Sequence, residues 1–187
     1  MAHTEEATSP QRVLVGYASR HGATAGIARR IAATLTAHGE PATACALADV
    51  ADVGSYDAFV IGGAAYYGHW LDPVEEFVRA HLDLLSDRPV WFFSSGPLAH
   101  EEINPAQPDE RTATRPAELD QLSLQVGARG ERVFFGALDP KRLSLRERAL
   151  RLLPAGRRLL PAGDFRDWED IDAWAEDIAA QLPPPGT

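Results

Sequence analysis

The chain has 187 residues and a net charge of −9, with 45% hydrophobic and 24% charged residues. These ordinary proportions exclude pervasive disorder, and the acidic balance excludes general nucleic-acid binding, which depends on Lys and Arg neutralising phosphates. The length fits one domain, no stretch approaches the roughly 18 apolar residues of a membrane span, and the single cysteine, Cys45, has no intrachain partner, so a cytoplasmic chain is expected.

Met1 to Gln11 is polar and acidic, and Pro183-Pro184-Pro185-Gly186-Thr187 cannot continue a helix. Both are expected to be loose tails on a domain spanning 12–182. The first strand is expected at Arg12–Tyr17, followed by the loop Ser19-Arg20-His21-Gly22-Ala23-Thr24. The next helix sets Ile27, Ile31 and Leu35 on one face and ends near Gly39. A second strand is expected at about Ala42–Leu47. The third, Ala58–Gly63, is apolar without alternation, as in a central strand covered on both faces. Asp72-Pro73-Val74-Glu75 supplies an N-cap, a proline and a third-position Glu for a helix whose buried stripe is Val74, Phe77, Val78 and Leu82.

The fourth strand is Val90–Phe93, running into Ser94-Ser95-Gly96-Pro97. A loop rich in Pro, Asp and Glu covers 98–115. A helix over Pro116–Val126 leads to a fifth strand at Arg132–Ala137, and the last helix opens at Asp167 and buries Ile171, Trp174, Ala175 and Ile178. Strands alternating with helices predict an α/β fold, a doubly wound parallel sheet with helices on both faces in three layers. Such sheets bind ligands beyond the carboxyl ends of their strands, where strand order reverses. The loops after strands 1, 3 and 4 have unusual composition and converge there.

Ser19 to Thr24 joins a buried strand to a helix start, which suits a phosphate. The unpaired N–H groups of the first turn and the helix dipole favour an anion, the Ser and Thr hydroxyls add donors, and Gly22 lets the backbone come close. After strand 3, Gly62-Gly63-Ala64-Ala65-Tyr66-Tyr67-Gly68-His69-Trp70 joins close-approach glycines to three aromatic rings. That suits a flat heteroaromatic ligand, with Tyr67 as its contact and Trp70 in the core. Ser94-Ser95-Gly96 offers donors for a ring edge, or shapes a turn.

These residues carry a resemblance. Ser19-x-x-Gly22-x-Thr24 resembles the flavodoxin phosphate loop, and Tyr67-Gly68 falls where flavodoxins place an aromatic and a glycine against the isoalloxazine ring. Tyr67-Gly68-His69, Phe77-Val78, Gly136-Ala137-Leu138 and Asp167-Trp168 are similar to the flavodoxin-domain proteins that include the menaquinone-dependent protoporphyrinogen oxidases of bacteria. The resemblance runs from about Arg12 to Leu182. It implies a flavodoxin-like five-stranded sheet of order 2-1-3-4-5 and FMN as cofactor. The phosphate would lie on Ser19, Arg20, His21, Gly22, Ala23 and Thr24. The ring would lie against Ala64, Ala65, Tyr66, Tyr67, Gly68 and His69 and against Ser94, Ser95, Gly96, Pro97 and Leu98. The chain departs from the pattern at Ala23, where flavodoxins often carry Asn or Gln, and at Pro97-Leu98, where many carry a second tyrosine.

The activity implied is oxidoreduction through bound flavin. Its alternatives are an electron carrier with no substrate of its own and a binding protein with weakened FMN affinity. A receiver domain, a dinucleotide-binding fold and a nucleotide hydrolase would need acids after strand 1, Gly-x-Gly-x-x-Gly, or a loop ending Gly-Lys-Ser/Thr, which this chain lacks. No two histidines have ligand spacing on one element, so no metal is expected.

The insertion at about 138–166 is basic: Lys141, Arg142, Arg146, Arg148, Arg151, Arg157 and Arg158 stand against Glu147 alone between Lys141 and Arg158. An amphipathic helix over Ser144–Leu153 is expected. It would be either a solvated surface or a dock for an acidic redox partner protein, an anionic substrate, or a membrane surface carrying quinone.

Overall fold

The computed structural model describes residues 11–66, 69–96, 115–154, 156, 160 and 162–182. Tyr67, Gly68, Pro97, Leu98, Arg157, Arg158 and the expected tails, apart from Gln11, lie outside them. Strand β1 (Val13–Ala18) is followed by helix α1 (Ala23–Ala37), β2 (Ala42–Ala46), β3 (Ala58–Tyr66) and the two-residue β4 (His69–Trp70). Helices α2 (Asp72–Ala80) and α3 (Leu82–Ser86) precede β5 (Val90–Gly96), α4 (Leu119–Val126) and β6 (Gly130–Phe135). The chain continues through β7 (Ala137–Leu138), α5 (Leu145–Leu150), β8 (Gly163–Asp164) and α6 (Trp168–Gln181).

The long strands are all parallel and lie in the order β2-β1-β3-β5-β6. With β4 set aside as a hairpin extension antiparallel to β3, this is the 2-1-3-4-5 order. Successive strand residues point to opposite faces, and the two faces carry separate cores. Val13, Val15, Val60 and Phe93 pack with Ile27, Ile31 and Leu35 of α1 and Ile171, Trp174 and Ile178 of α6. Leu14, Phe59, Ile61 and Phe92 pack with Val74, Phe77 and Val78 of α2 and Leu119 and Leu122 of α4.

Three boundaries differ from expectation. Asp72 is not the N-cap of α2: Leu71 holds that position, and its N–H bonds Ala64 O at 3.3 Å, so the β4 hairpin fixes the helix start one residue early. The helix expected to continue through Leu82 breaks at His81, whose Nδ1 bonds the Phe77 carbonyl at 2.9 Å. The fifth long strand ends at Phe135. Beyond it, β7 pairs antiparallel with β8 across the insertion, and Phe165 N donates to Gly136 O at 3.1 Å.

Helices α1 and α6 are joined by Arg30 Nε, which donates to Asp172 Oδ1 at 2.7 Å, and by Thr34 Oγ1, which donates to the same oxygen at 2.8 Å. The Arg30 hydrogen bond holds the Asp172 carboxyl below its ordinary range; partial burial works against it, and Thr34 adds to it. A carboxyl depressed on folding contributes stability above its unfolded pKa and loses it as pH falls through the folded value. Asp172→Asn should therefore lower the melting temperature at neutral pH, and the gap to the parent should close in acid. A gap that does not change between pH 7 and the acid range would contradict this coupling.

Candidate functional site

Register brings the carboxyl ends of three strands together. Ala18 of β1 stands beside Gly63 of β3, Gly63 beside Ser94 of β5, and Ala64 beside Ser95. Both short-side-chain positions on β3 are buried, so the end of the sheet is low and smooth there.

Above β1, Gly22 N donates to Ser19 Oγ at 3.0 Å, closing a tight turn, and Gly22 takes φ 88, a left-handed conformation that favours glycine. Gly22 is the N-cap of α1. It offers no side-chain acceptor to the first turn, and that turn contains no acidic residue. No carboxylate of the first turn itself therefore neutralises the N-terminal N–H groups and the positive end of the dipole, which favours an anion there.

Thr24, one residue into the first turn, is 1% exposed, and its Oγ1 lies 2.6 Å from Ser95 Oγ. This bond ties the loop after β1 to the end of β5 across a separation of 71 residues. Two hydroxyls share one proton between them, which leaves the second proton to be donated to a third oxygen. Ser94 is used differently. It is fully buried, and its Oγ accepts from the Trp70 indole Nε1 at 2.9 Å, while the Trp70 ring lies 5.4 Å from that of Phe92. Trp70 is thus a core residue, and of the serine pair it is Ser95 that joins the loop.

Ala64 is buried, Ala65 and Gly96 half-buried, and Tyr66 pairs through its backbone with His69. His69 is exposed and its Nδ1 meets Glu118 Oε1. Burial acts to raise the Glu118 carboxyl, but the His69 hydrogen bond and nearby backbone donors hold it below its ordinary range. His69 is thereby turned toward α4.

The insertion closes on the first loop. A Cβ added at Gly22 would lie 2.0 Å from Arg142 Nη1, so the guanidinium occupies the space that glycine leaves, and the same nitrogen donates to the His21 carbonyl at 3.5 Å. His21 is nearly buried, with Nε2 3.5 Å from Glu147 Oε1, and its Nδ1 is buried with no hydrogen-bond partner. Glu147 is fixed by a capping box: its N–H donates to Ser144 Oγ at 3.3 Å and its Oε2 accepts from Ser144 N at 2.8 Å. The side-chain hydrogen bond with Ser144 holds the Glu147 carboxyl low, with the backbone bond adding, burial opposing, and His21 and Arg20 contributing positive charge. Arg142 and Glu147 were not anticipated as neighbours of the loop. Ser144-x-x-Glu147 reads as a capping box in sequence, but where the capped helix docks does not.

The family model described as a flavodoxin domain matches residues 14–150. The chain is 27% identical over 183 residues to the protoporphyrinogen IX dehydrogenase (quinone) of Escherichia coli strain K12, covering 90% of this chain and 94% of that protein. Among solved structures, a flavodoxin from the domain Archaea superposes with a TM-score of 0.57 at 15% identity, covering 91% of this chain and 97% of that one. The oxidised flavodoxin 1 of Bacillus cereus gives 0.57 at 16% identity, covering 92% and 99%. With this fold and a family match over most of its length, the chain belongs to the flavodoxin-domain family.

Proposed function

We propose that the chain is an FMN-dependent oxidoreductase, with the cofactor's phosphate at Ser19–Thr24 and its ring toward the ends of β3 and β5. The hydroxyl pair Thr24–Ser95 at the acid-free start of α1 carries this reading. The residues present fit the group: the Gly22 turn leaves backbone N–H groups for a phosphate, the hydroxyl pair has a proton to donate, and the orphaned Nδ1 of His21 lies in the same loop. Bound FMN supplies the electron chemistry. The chain's part is to neutralise the phosphate with first-turn N–H groups and Arg142, to fix the loop against β5 through Thr24, and to keep the Trp70 wall rigid through Ser94.

The Escherichia coli relative, named as a protoporphyrinogen IX dehydrogenase that uses quinone, supports an enzyme over a carrier. The test is anaerobic turnover of protoporphyrinogen IX by flavin-loaded protein with a quinone acceptor. Quinone-dependent oxidation at least tenfold above flavin-free protein is expected. Loss of quinone dependence, or no turnover with flavin still bound, would replace the enzyme by an electron carrier.

A further inference from the structure

We infer that the insertion seats the protein on an anionic phospholipid bilayer, through leucines that enter the acyl boundary and basic side chains that meet the headgroups. Leu145, Leu150, Leu152 and Leu153 are 83%, 42%, 77% and 58% exposed. The other large apolar side chains left exposed among the described residues are Leu124 and Trp168, and Trp168 lies under the Arg166 guanidinium, 4.4 Å from its ring. Among the described residues, four of the five exposed leucines thus fall in one short stretch.

The leucines do not point outward for want of folding. Leu143, 4% exposed, fills the inward position of the segment; the Ser144–Glu147 capping box fixes the first turn of α5, and Arg148 donates to the Lys141 carbonyl. The segment is anchored, and its leucines are what remains outside. Beside them runs a groove of about 450 Å³ lined by Pro140, Lys141, Arg148, Arg151 and Leu152. Cationic groups around an apolar floor match a phosphate headgroup and the first carbons of its chains.

Charge decides the occupant and the orientation. The cluster from Lys141 to Arg158 is strongly positive in a chain of net charge −9, so an anionic surface attracts this segment and repels the rest of the molecule. An acidic protein would be served by the basic residues alone. Leucines this exposed among arginines fit the boundary between headgroups and acyl chains, where a basic amphipathic segment buries its apolar side. The same segment touches the first loop through Arg142 and Glu147, so seating would place the ligand loop beside the membrane surface. The inference does not depend on the identity of the cofactor.

The test is co-sedimentation of the whole 187-residue chain with vesicles of phosphatidylcholine alone or with about one-third phosphatidylglycerol. Binding to the anionic vesicles is expected, weakening with salt and absent with phosphatidylcholine alone. The double variants Leu145→Ser/Leu152→Ser and Lys141→Glu/Arg146→Glu, the latter sparing the anchoring Arg148, should each reduce binding about tenfold, with circular dichroism and melting temperature reporting that both fold. These substitutions lie outside the core, so their folding is read independently of their binding. No binding by the parent, or equal binding to both vesicle types, overturns the inference. So does a leucine variant that binds like the parent, which would mark a charge-only surface suited to an acidic protein.

Discussion

Thr24→Val will weaken FMN about ten- to a hundredfold and riboflavin far less. A hydrogen bond to a charged group is worth roughly 1.5–3 kcal/mol, and riboflavin has no phosphate to receive it. Valine nearly matches threonine in shape, and Thr24 is 1% exposed inside a packed first turn, so the change removes a hydroxyl without opening a cavity. It also removes the partner of Ser95 Oγ, 2.6 Å away. Ser95→Ala provides the complement: it breaks the same bond while sparing the Thr24 hydroxyl, and should weaken FMN less than Thr24→Val does. Fluorescence titration of flavin-free protein with both ligands reads the difference. Equal losses for FMN and riboflavin would remove Thr24 from the phosphate site.

Gly62→Ala should be among the most destabilising small substitutions in the chain. Gly62 lies in the centre of the sheet, level with Tyr17 of β1 and Phe93 of β5. An added Cβ would sit 2.4 Å from the Phe93 ring and 2.5 Å from the Phe93 carbonyl oxygen. The carbonyl belongs to a sheet strand and cannot withdraw. The ring is fully buried, 6.4 Å from those of Phe134 and Trp174. Overpacking of this kind costs about 1–3 kcal/mol, which for a chain of this size lowers the melting temperature by roughly 2–12 °C. Gly16→Ala is the control: its Cβ would meet Leu47 Cδ2 at 2.5 Å, the far end of a flexible side chain near the sheet edge, so a much smaller loss is expected. Calorimetry on the pair checks this, and equal losses would contradict the close approach at Phe93.

Much of the fold was legible because its determinants are local. Ile27, Ile31 and Leu35 mark the buried face of α1 by spacing alone, the unbroken apolar run of β3 marks a strand covered on both sides, and Asp167 caps α6 by accepting from Asp170 N at 3.1 Å. The Ser19–Thr24 loop was legible as a strand-to-helix turn for the same reason. What sequence could not show are pairings set by register and docking. Thr24 meets Ser95 because register sets Ala18, the last residue of β1, beside Gly63 of β3 and Gly63 beside Ser94 of β5, and Ser94 turns from the loop to Trp70 because successive strand residues face opposite sides. The Leu71–Ala64 bond that moves the start of α2 depends on a hairpin two residues long. Arg142 was visible as charge, but its place over Gly22 follows from how the insertion folds back onto the first loop, as its bond to the His21 carbonyl at a separation of 121 residues shows.

Both the proposed chemistry and the Thr24→Val effect rest on FMN binding at the junction of the β1 loop and the end of β5. The most direct measurement is the flavin content of protein purified without added cofactor, read from the absorbance of oxidised flavin and from chromatography of the flavin released on denaturation, followed by titration of flavin-free protein with FMN. Yellow protein that releases FMN is expected, with FMN rebinding to a single saturable site that Thr24→Val weakens. Colourless protein that fails to bind added FMN, or a released flavin that is not FMN, would contradict it.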